Sequence, residues 1–232
     1  MRKKQALYES DFMHEIMGDT IRPGGVDLTE KAILLAHLPK KAKVLDVGCG
    51  CGVTMDLLAN RFGYHVTGID PSQKLITKAL KRNAGLNIIL GKGENLPFED
   101  NAFDGVICEC SLSVVDNADL TLAEMARVLK KKGKLIISDL YIKDSQMDNK
   151  VENSLDCCQN GVMIKDKIIE TVRKYNFLIC LWQDCSESLT QLICQMIMNG
   201  HSIQDFWSNV TSCGALSCQV KYGYYLMIAE KK

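Results

Sequence analysis

The residues with the clearest chemical use lie in a glycine-rich run between Val44 and Gly52. The run begins as an apolar strand, passes through Gly48 and Gly50, and continues into a helical pattern that starts at Val53. Glycines at such positions let the backbone approach a ligand closely, because a Cβ atom would otherwise collide with it. The first N–H groups of the following helix have no partners within that helix and point toward the same place. The run therefore predicts a ligand-binding turn between a strand and a helix.

Two acidic residues indicate which kind of ligand this turn holds. Asp70 closes the second apolar run, where a carboxylate can accept hydrogen bonds from both hydroxyls of a ribose. Asp46 precedes Gly48 by two residues, and an acid there would repel the pyrophosphate of a dinucleotide but suits the ammonium of a methionine moiety. The pattern also lacks the third spaced glycine of dinucleotide sites. A methyl donor is therefore favoured over a nicotinamide.

Further short motifs follow in order along residues 40–140. They are Gly68-Ile69-Asp70-Pro71-Ser72, Gly91-Lys92-Gly93-Glu94-Asn95-Leu96-Pro97-Phe98, Phe103-Asp104-Gly105-Val106-Ile107 and Glu124-Met125-Ala126-Arg127-Val128-Leu129-Lys130. Together with the glycine run they resemble the class I S-adenosylmethionine-dependent methyltransferases, in particular the broad small-molecule group. The resemblance implies S-adenosyl-L-methionine as the cofactor. It implies that these residues bind it: Asp46, Gly48, Cys49, Gly50, Asp70, Pro71, Gly93 and Glu94.

The chain departs from the family pattern at two places. Lys131-Lys132-Gly133 stands where the family usually has Pro-Gly-Gly before its fifth strand, so that turn must be made differently. Cys51 stands where Thr or Ser is common, which removes one hydroxyl contact to the donor.

The segment before the glycine run offers a cover for the donor. Two interpretations fit the run Arg22-Pro23-Gly24-Gly25: a plain turn, or part of a segment that folds over the cofactor. In the second interpretation Arg22 pairs with the carboxylate of the donor. Tyr8 and Phe12 would then cover the sulfonium, although both also suit a core.

Cys49 and Cys51 lie in the glycine run, and further cysteines also stand at positions where a ligand would bind. Cys108 and Cys110 end the fourth predicted strand and, two residues apart, should share one face of it. Cys157-Cys158 follow the fifth strand, in a segment that partly resembles the cysteine-bearing region of arsenite methyltransferases. One hypothesis is a soft acceptor, a thiol or a metalloid, held by thiolates of lowered pKa. The alternative is simple packing; no paired Cys-x₂-Cys pattern supports a metal site.

No acid–base dyad or nucleophile motif is visible, which fits a donor that is already activated. The candidates for a catalytic role are Cys110, Glu109, Cys157 and Cys158, with Asp139 as a second acid at a strand end. Two alternatives remain: a cofactor-binding module without turnover of its own, and a nicotinamide-dependent oxidoreductase.

The elements that position these residues alternate between short apolar runs and amphipathic helices over the first 140 residues. This pattern predicts an α/β fold with right-handed βαβ crossovers. With the resemblance, it predicts a Rossmann-like, mostly parallel seven-stranded sheet with helices on both faces. We expect an N-terminal helical cover over residues 1–40 and a methyltransferase domain over 41–232, elaborated at about 145–220. Asp27 and Glu30 predict a capping box for a helix at Leu28–Leu38.

Composition excludes several classes of protein. The 232 residues carry 28 basic and 28 acidic side chains, so no overall field attracts nucleic acid or an acidic membrane. No apolar run is long enough to span a membrane. The eleven cysteines, without an export signal, are expected to be reduced thiols. We predict a cytoplasmic monomer or homodimer that acts on a small-molecule acceptor.

Overall fold

The computed structural model describes residues 9, 20, 22–143, 162–200, 202 and 221–232. These residues form an α/β fold with one seven-stranded sheet. Tyr8, Phe12, Cys157 and Cys158 lie outside these residues. The described elements, in chain order, are α1 Gly25–Ala36, β1 Lys43–Val47, α2 Val53–Phe62, β2 His65–Asp70, α3 Gln73–Arg82, β3 Asn87–Leu90, β4 Phe103–Glu109, α4 Ala118–Val128, β5 Leu129–Ile142, α5 Lys165–Lys174, β6 Phe177–Asp184, α6 Ser186–Met198 and β7 Tyr222–Lys231.

The seven strands lie in the order β3-β2-β1-β4-β5-β7-β6. The first five are mutually parallel, and β7 runs antiparallel to both β5 and β6. The predicted mostly parallel, seven-stranded sheet is therefore confirmed. β2 lies on one side of β1, and β4 lies on the other side, so the direction in which strands are added reverses at β1. Such a reversal opens a crevice at the carboxyl ends of the two strands, where ligands bind in open α/β sheets.

Apolar side chains on alternate strand positions bury both faces of the sheet. One face carries Leu122 and Met125 of α4 against Cys108 of β4, and the other carries Ala32 and Ile33 of α1. This double burial explains why the central strands read as continuous apolar runs. Helices therefore cover both faces, as predicted. No helix of the described residues combines the length and apolarity that crossing a membrane would require.

The first helix begins three residues earlier than the capping-box pattern predicts. Gly24 precedes it with a left-handed φ of 77°, and no side chain caps the helix. Asp27 lies inside the first turn, so the predicted capping box is wrong. The two glycines can adopt the positive φ values that let the chain enter the helix at Gly25.

The junction between α4 and β5 also differs from its predicted position. The helix ends at Val128 and the strand begins at Leu129, so the three residues 131–133 lie within the strand. Lys132 adopts a φ of 63°, and the pairing with β4 shifts register between Phe103 and Gly105. The irregular strand thus makes the turn for which the family usually has Pro-Gly-Gly.

Arg127 fastens the loop between β3 and β4 to α4. Its guanidinium donates to the carbonyl oxygens of Leu96 and Phe98, and to the carboxylates of Glu124 and Asp100, at 2.7–2.9 Å. Glu124 in turn accepts the N–H of Leu96. Glu124 and Arg127 are three residues apart in α4, a spacing that brings two side chains together on one face of a helix.

We expect Arg127→Ala to lower the free energy of unfolding by about 1.5–3 kcal/mol, because it leaves loop carbonyls and a carboxylate without their charged donor. Chemical denaturation measures this change. Arg61→Ala is the matched control, since the side chain of Arg61 is largely exposed and pairs with Glu30 at the surface; this variant should cost less than about 0.5 kcal/mol. Equal losses in the two variants would contradict this role for Arg127.

Candidate functional site

A cleft of about 370 Å³ opens at the carboxyl ends of β1, β2 and β4, where the strand order reverses. Its volume lies within the range of small-molecule sites. The cleft brings together residues that the sequence analysis selected from separate motifs: Arg22, Gly48, Cys49, Gly50, Asp70, Pro71, Gly93, Glu94, Glu109 and Cys110. Their individual roles stay predictions.

The glycine turn is shaped by close contact on one side and open space on the other. Gly48 has a φ of 80°, and a Cβ atom there would lie 2.1 Å from Oγ of Ser111. Gly50 has a φ of 50°, and the nearest atom to its Cβ position, Cδ1 of Leu75, is 4.0 Å away. The backbone at residue 50 therefore borders the cleft directly, with room for a ligand against it.

Asp70 holds this turn in place. Its Oδ2 accepts the N–H of Gly50 and its Oδ1 accepts the N–H of Ser72, both at 2.8 Å. Burial raises the pKa of Asp70, and the two backbone hydrogen bonds oppose that shift. A carboxylate has about four acceptor positions, so both oxygens keep capacity for hydroxyl groups in the cleft. Ser72 itself caps α3 by accepting the N–H of Leu75.

Arg22 and Glu109 form an ion pair where α1 meets the end of β4. Nε of Arg22 lies 3.3 Å from Oε2 of Glu109, and both side chains are more than nine-tenths buried. Thr29 receives a hydrogen bond from Arg22 and donates to Oε1 of Glu109, while Thr54 donates to Oε2. Thr29 and Thr54 are functional candidates that sequence reasoning missed, since hydroxyls inside helices give no local signal.

Asp46 lies next to this pair but does not itself line the cleft. It is 2% exposed, and its Oδ2 has no hydrogen-bond partner among the described residues. Burial raises the pKa of Asp46 to about 8; the negative charge of Glu109 adds to the rise, and Arg22 opposes it. Nε of Arg22 is the other buried side-chain atom of the described residues without a hydrogen bond. Oδ2 of Asp46 therefore lacks a partner beside the cleft, whereas Nε of Arg22 lacks a hydrogen bond but is in an ion pair with Glu109.

The opposite end of the cleft is built around Gly93 and Glu94. A Cβ atom at Gly93 would lie 2.9 Å from Thr121 of α4, so the backbone packs closely there. Oε1 of Glu94 accepts the N–H groups of Asp116 and Asn117 at 2.7 and 3.1 Å. Glu94 therefore fixes the loop that leads into α4, a role that its sequence position did not reveal.

The structure contradicts two expectations about the cysteines. Cys108 packs in the hydrophobic cluster on one face of the sheet and Cys110 in the cluster on the other, because Cys110 follows the strand with a left-handed φ of 49° that ends the alternation. Burial raises the pKa of both thiols rather than lowering it. Sγ of Cys110 lies 3.2 Å from the hydroxyl of the buried Tyr224. Within the described residues no cluster of His, Cys, Asp and Glu could hold a metal ion.

Asp139 is not placed to act in the cleft. Its two oxygens accept the N–H and the hydroxyl of Ser113 at 2.9 and 2.6 Å, and the N–H of Leu140 at 2.7 Å. It does not line the cleft. The interpretation of Asp139 as a base is therefore wrong; the carboxylate organises the loop after β4.

Several other cleft residues were missed by sequence reasoning. They follow the ends of the strands or begin the adjoining helices: Val53, Ser72, Leu75, Lys92, Ser111, Val114, Val115 and Asp116. The sequence signal common to most of these residues is their position shortly after the end of a strand.

Comparison with known proteins agrees with this geometry. The family model described as a methyltransferase domain matches residues 45–137. The chain is similar to an uncharacterized protein of Methanocaldococcus jannaschii, 30% identical over 64% of this chain and 70% of that protein. It is also similar to a demethylmenaquinone methyltransferase of Thermotoga maritima, 36% identical over 42% of this chain and 43% of that protein.

Among solved structures, phosphoethanolamine N-methyltransferase 2 of Haemonchus contortus in complex with S-adenosyl-L-methionine shares the fold, with a TM-score of 0.74 and 19% identity. The alignment covers 100% of this chain and 60% of that one. In five of the curated relatives, including the Thermotoga protein, the match spans only 22% to 60% of the relative's own length.

The strand order, the glycine turn at its reversal point and the matched domain define one class of protein. The chain belongs to the class I S-adenosylmethionine-dependent methyltransferases. The resemblance noted in the sequence is confirmed.

The unpaired carboxyl of Asp46 predicts a pH dependence of stability. Because its pKa is higher in the folded state than in the unfolded chain, the folded state binds more protons between about pH 4 and pH 8, and stability falls as pH rises through that window. Asp46→Asn should flatten this fall, by up to about 1.4 kcal/mol per pH unit. Denaturation of both proteins across this range checks the difference. Parallel profiles for the two would contradict the assignment.

Proposed function

We propose that this chain binds S-adenosyl-L-methionine in the cleft and transfers its methyl group to a small-molecule acceptor. The observation that carries the proposal is that two buried atoms next to one end of the cleft make no hydrogen bond with the described residues: Oδ2 of Asp46, and Nε of Arg22, which is ion-paired with Glu109. A buried donor or acceptor without a partner is costly. The amino-acid end of the donor offers an ammonium for the first and a carboxylate for the second.

The rest of the cleft fits the remaining parts of this cofactor. The spare acceptor positions on Asp70 suit the two ribose hydroxyls, and Pro71 borders the same place. The open space over Gly50 accommodates the chain between ribose and sulfur. Gly93 and Glu94, with Ile69 and Val115, border the far end, where the base would lie.

When bound, the cofactor supplies an activated methyl group: the acceptor forms a bond to the methyl carbon as the bond to sulfur breaks, and the electron pair stays on sulfur. The residues of the chain need only hold the reactants in line and exclude water. Glu109 is poorly suited as a base, because Thr29, Thr54 and Arg22 already occupy most of its acceptor positions. We infer that it positions Arg22 and the helices α1 and α2 around the donor.

The thiols of Cys108 and Cys110 bear on the chemistry of the acceptor. A soft acceptor, a thiol or a metalloid, was expected to depend on thiolates. The pKa values of Cys108 and Cys110 are raised by burial, and Cys110 is held by Tyr224, so these two thiols do not support that interpretation. Cys157 and Cys158 stay candidates from sequence. We propose an acceptor that needs neither a thiolate at residue 110 nor a strong base.

The activity is tested by incubating the full chain with donor labelled in its methyl group and a panel of acceptors: thiols, arsenite, amines and phenols. Transfer of label to any of them supports the proposal. Donor binding without transfer to any member would leave a cofactor-binding module. Binding of NADH instead of the donor would contradict the proposed function.

Gly50→Val should abolish donor binding, because its side chain would fill the space over the turn. Gly63→Val is the matched control. Gly63 ends α2 with a φ of 66° and has no atom within 4 Å of its Cβ position, so the two variants carry similar backbone strain of about 1–2 kcal/mol. Calorimetry should detect binding to the control alone. Binding by a folded Gly50→Val variant would show that the turn does not cradle the donor.

Cys110→Ser should keep turnover within about threefold of wild type, a difference of about 0.7 kcal/mol, because a hydroxyl can replace the thiol as partner of Tyr224. Turnover is measured with whichever acceptor the panel identifies, and donor affinity is measured separately. A loss of turnover above tenfold at unchanged donor affinity would restore the thiol hypothesis.

A further inference from the structure

The strand β6 forms one edge of the sheet and leaves one side of its backbone open. It pairs with β7 on its inner side, and no strand of the described residues pairs with its outer side. In an antiparallel pair, alternate residues direct their N–H and C=O groups away from the neighbouring strand. The eight-residue strand therefore offers a row of donors and acceptors to a further strand.

The side chains of β6 do little to keep another strand away. The run 177–183 contains no charged residue and no proline, which are the common protections of edge strands, and its only irregularity is a shift of register between Ile179 and Leu181. Leu178 and Cys180 are exposed, so apolar groups accompany the open backbone. The other edge strand, β3, is only four residues long. β6 is therefore the edge better suited to receive a strand.

Exposed charges of opposite sign stand at the two ends of β6. Arg173 lies in the last turn of α5, just before the strand, and Glu187 lies in the first turn of α6, just after it. Neither side chain is in an ion pair with another described residue. An antiparallel pair of β6 strands would bring the start of each strand beside the end of the other, so that opposite charges meet, whereas a parallel pair would bring like charges together. Charge complementarity therefore selects the antiparallel arrangement, which a twofold axis generates.

We propose that a second copy of this chain pairs with the outer side of β6, in a twofold dimer whose sheet continues through both copies. Each strand offers the other the same row of donors and acceptors, as an interface across a twofold axis requires. The register that overlaps the whole uncharged run places its middle residue, Cys180, beside Cys180 of the partner subunit. Arg173 then stands at the end of the interface that carries Glu187 of the partner subunit. None of these residues lines the cleft, so the inference is independent of the proposed donor site.

The first test is the mass of the full chain in solution, measured by sedimentation velocity over a range of concentrations. The wild-type chain should sediment with twice the mass of one copy. Leu178→Lys should raise the dissociation constant at least about tenfold, because a lysine on an edge strand opposes strand pairing. Leu90→Lys is the matched control: Leu90 is 56% exposed on β3, against 52% for Leu178 on β6, and this variant should dimerise as the wild type does.

An exchange of charges tests the direction of the two strands. Arg173→Glu should weaken the dimer at least about threefold, because it places like charges at both ends of the interface. The double variant Arg173→Glu, Glu187→Arg should recover the wild-type dissociation constant, since opposite charges then meet again. A double variant as weak as the single one would exclude the antiparallel arrangement.

Crosslinking of thiols tests the register. A short bis-maleimide should join two wild-type chains through Cys180. Cys180→Ser should lose this product, whereas Cys194→Ser, which removes another exposed thiol on α6, should keep it. A wild-type chain that stays monomeric at every concentration would overturn the inference, as would a dimer that is unaffected by Leu178→Lys and still crosslinks in Cys180→Ser. Neither result would bear on donor binding or on methyl transfer.

Discussion

The carboxylate of Asp70 is the contact on which the site depends. One of its oxygens holds the N–H of Gly50 and the other holds the N–H of Ser72, so a single side chain fixes the turn after β1 and the turn into α3. Both turns leave neighbouring parallel strands at the same edge of the sheet. The glycine turn can therefore stay open over Gly50 without collapsing into the cleft. The shape of the cleft is maintained by backbone hydrogen bonds rather than by bulky side chains.

Three charged side chains are buried next to that turn, and their burial is the second constraint on the site. Asp46, Glu109 and Arg22 are nearly excluded from water, and two acids share one guanidinium. The pKa of Asp46 is raised mainly by its burial, and the negative charge of Glu109 adds to the rise. Folding thus tolerates an incompletely paired acid beside the cleft, and buried groups of this kind are typical of functional sites. A zwitterionic ligand end is the chemistry that would balance the set without adding net charge.

The parts of the fold that follow local rules could be predicted from sequence. The apolar runs predicted the alternation of strands and helices that the structure has, and the glycine turn was identified from spacing alone. The errors arose where distant contacts decide. The pairing of Arg22 with Glu109 joins residues 87 positions apart. The left-handed backbone at Cys110 breaks the alternation that placed two thiols on one face. Asp139 was predicted at a strand end, yet β5 continues to Ile142 and Ser113 donates two hydrogen bonds to the Asp139 oxygens.

The central claim is that Asp46 and Arg22, whose Oδ2 and Nε make no hydrogen bond with the described residues, receive the amino-acid end of the donor. It is tested most directly by comparing the affinities of the wild-type chain for S-adenosylhomocysteine and for 5′-methylthioadenosine, which lacks that end. Loss of two charge-assisted contacts should weaken binding at least about a hundredfold. Similar affinities for the two compounds would contradict the account, because the cleft would then recognise the nucleoside alone.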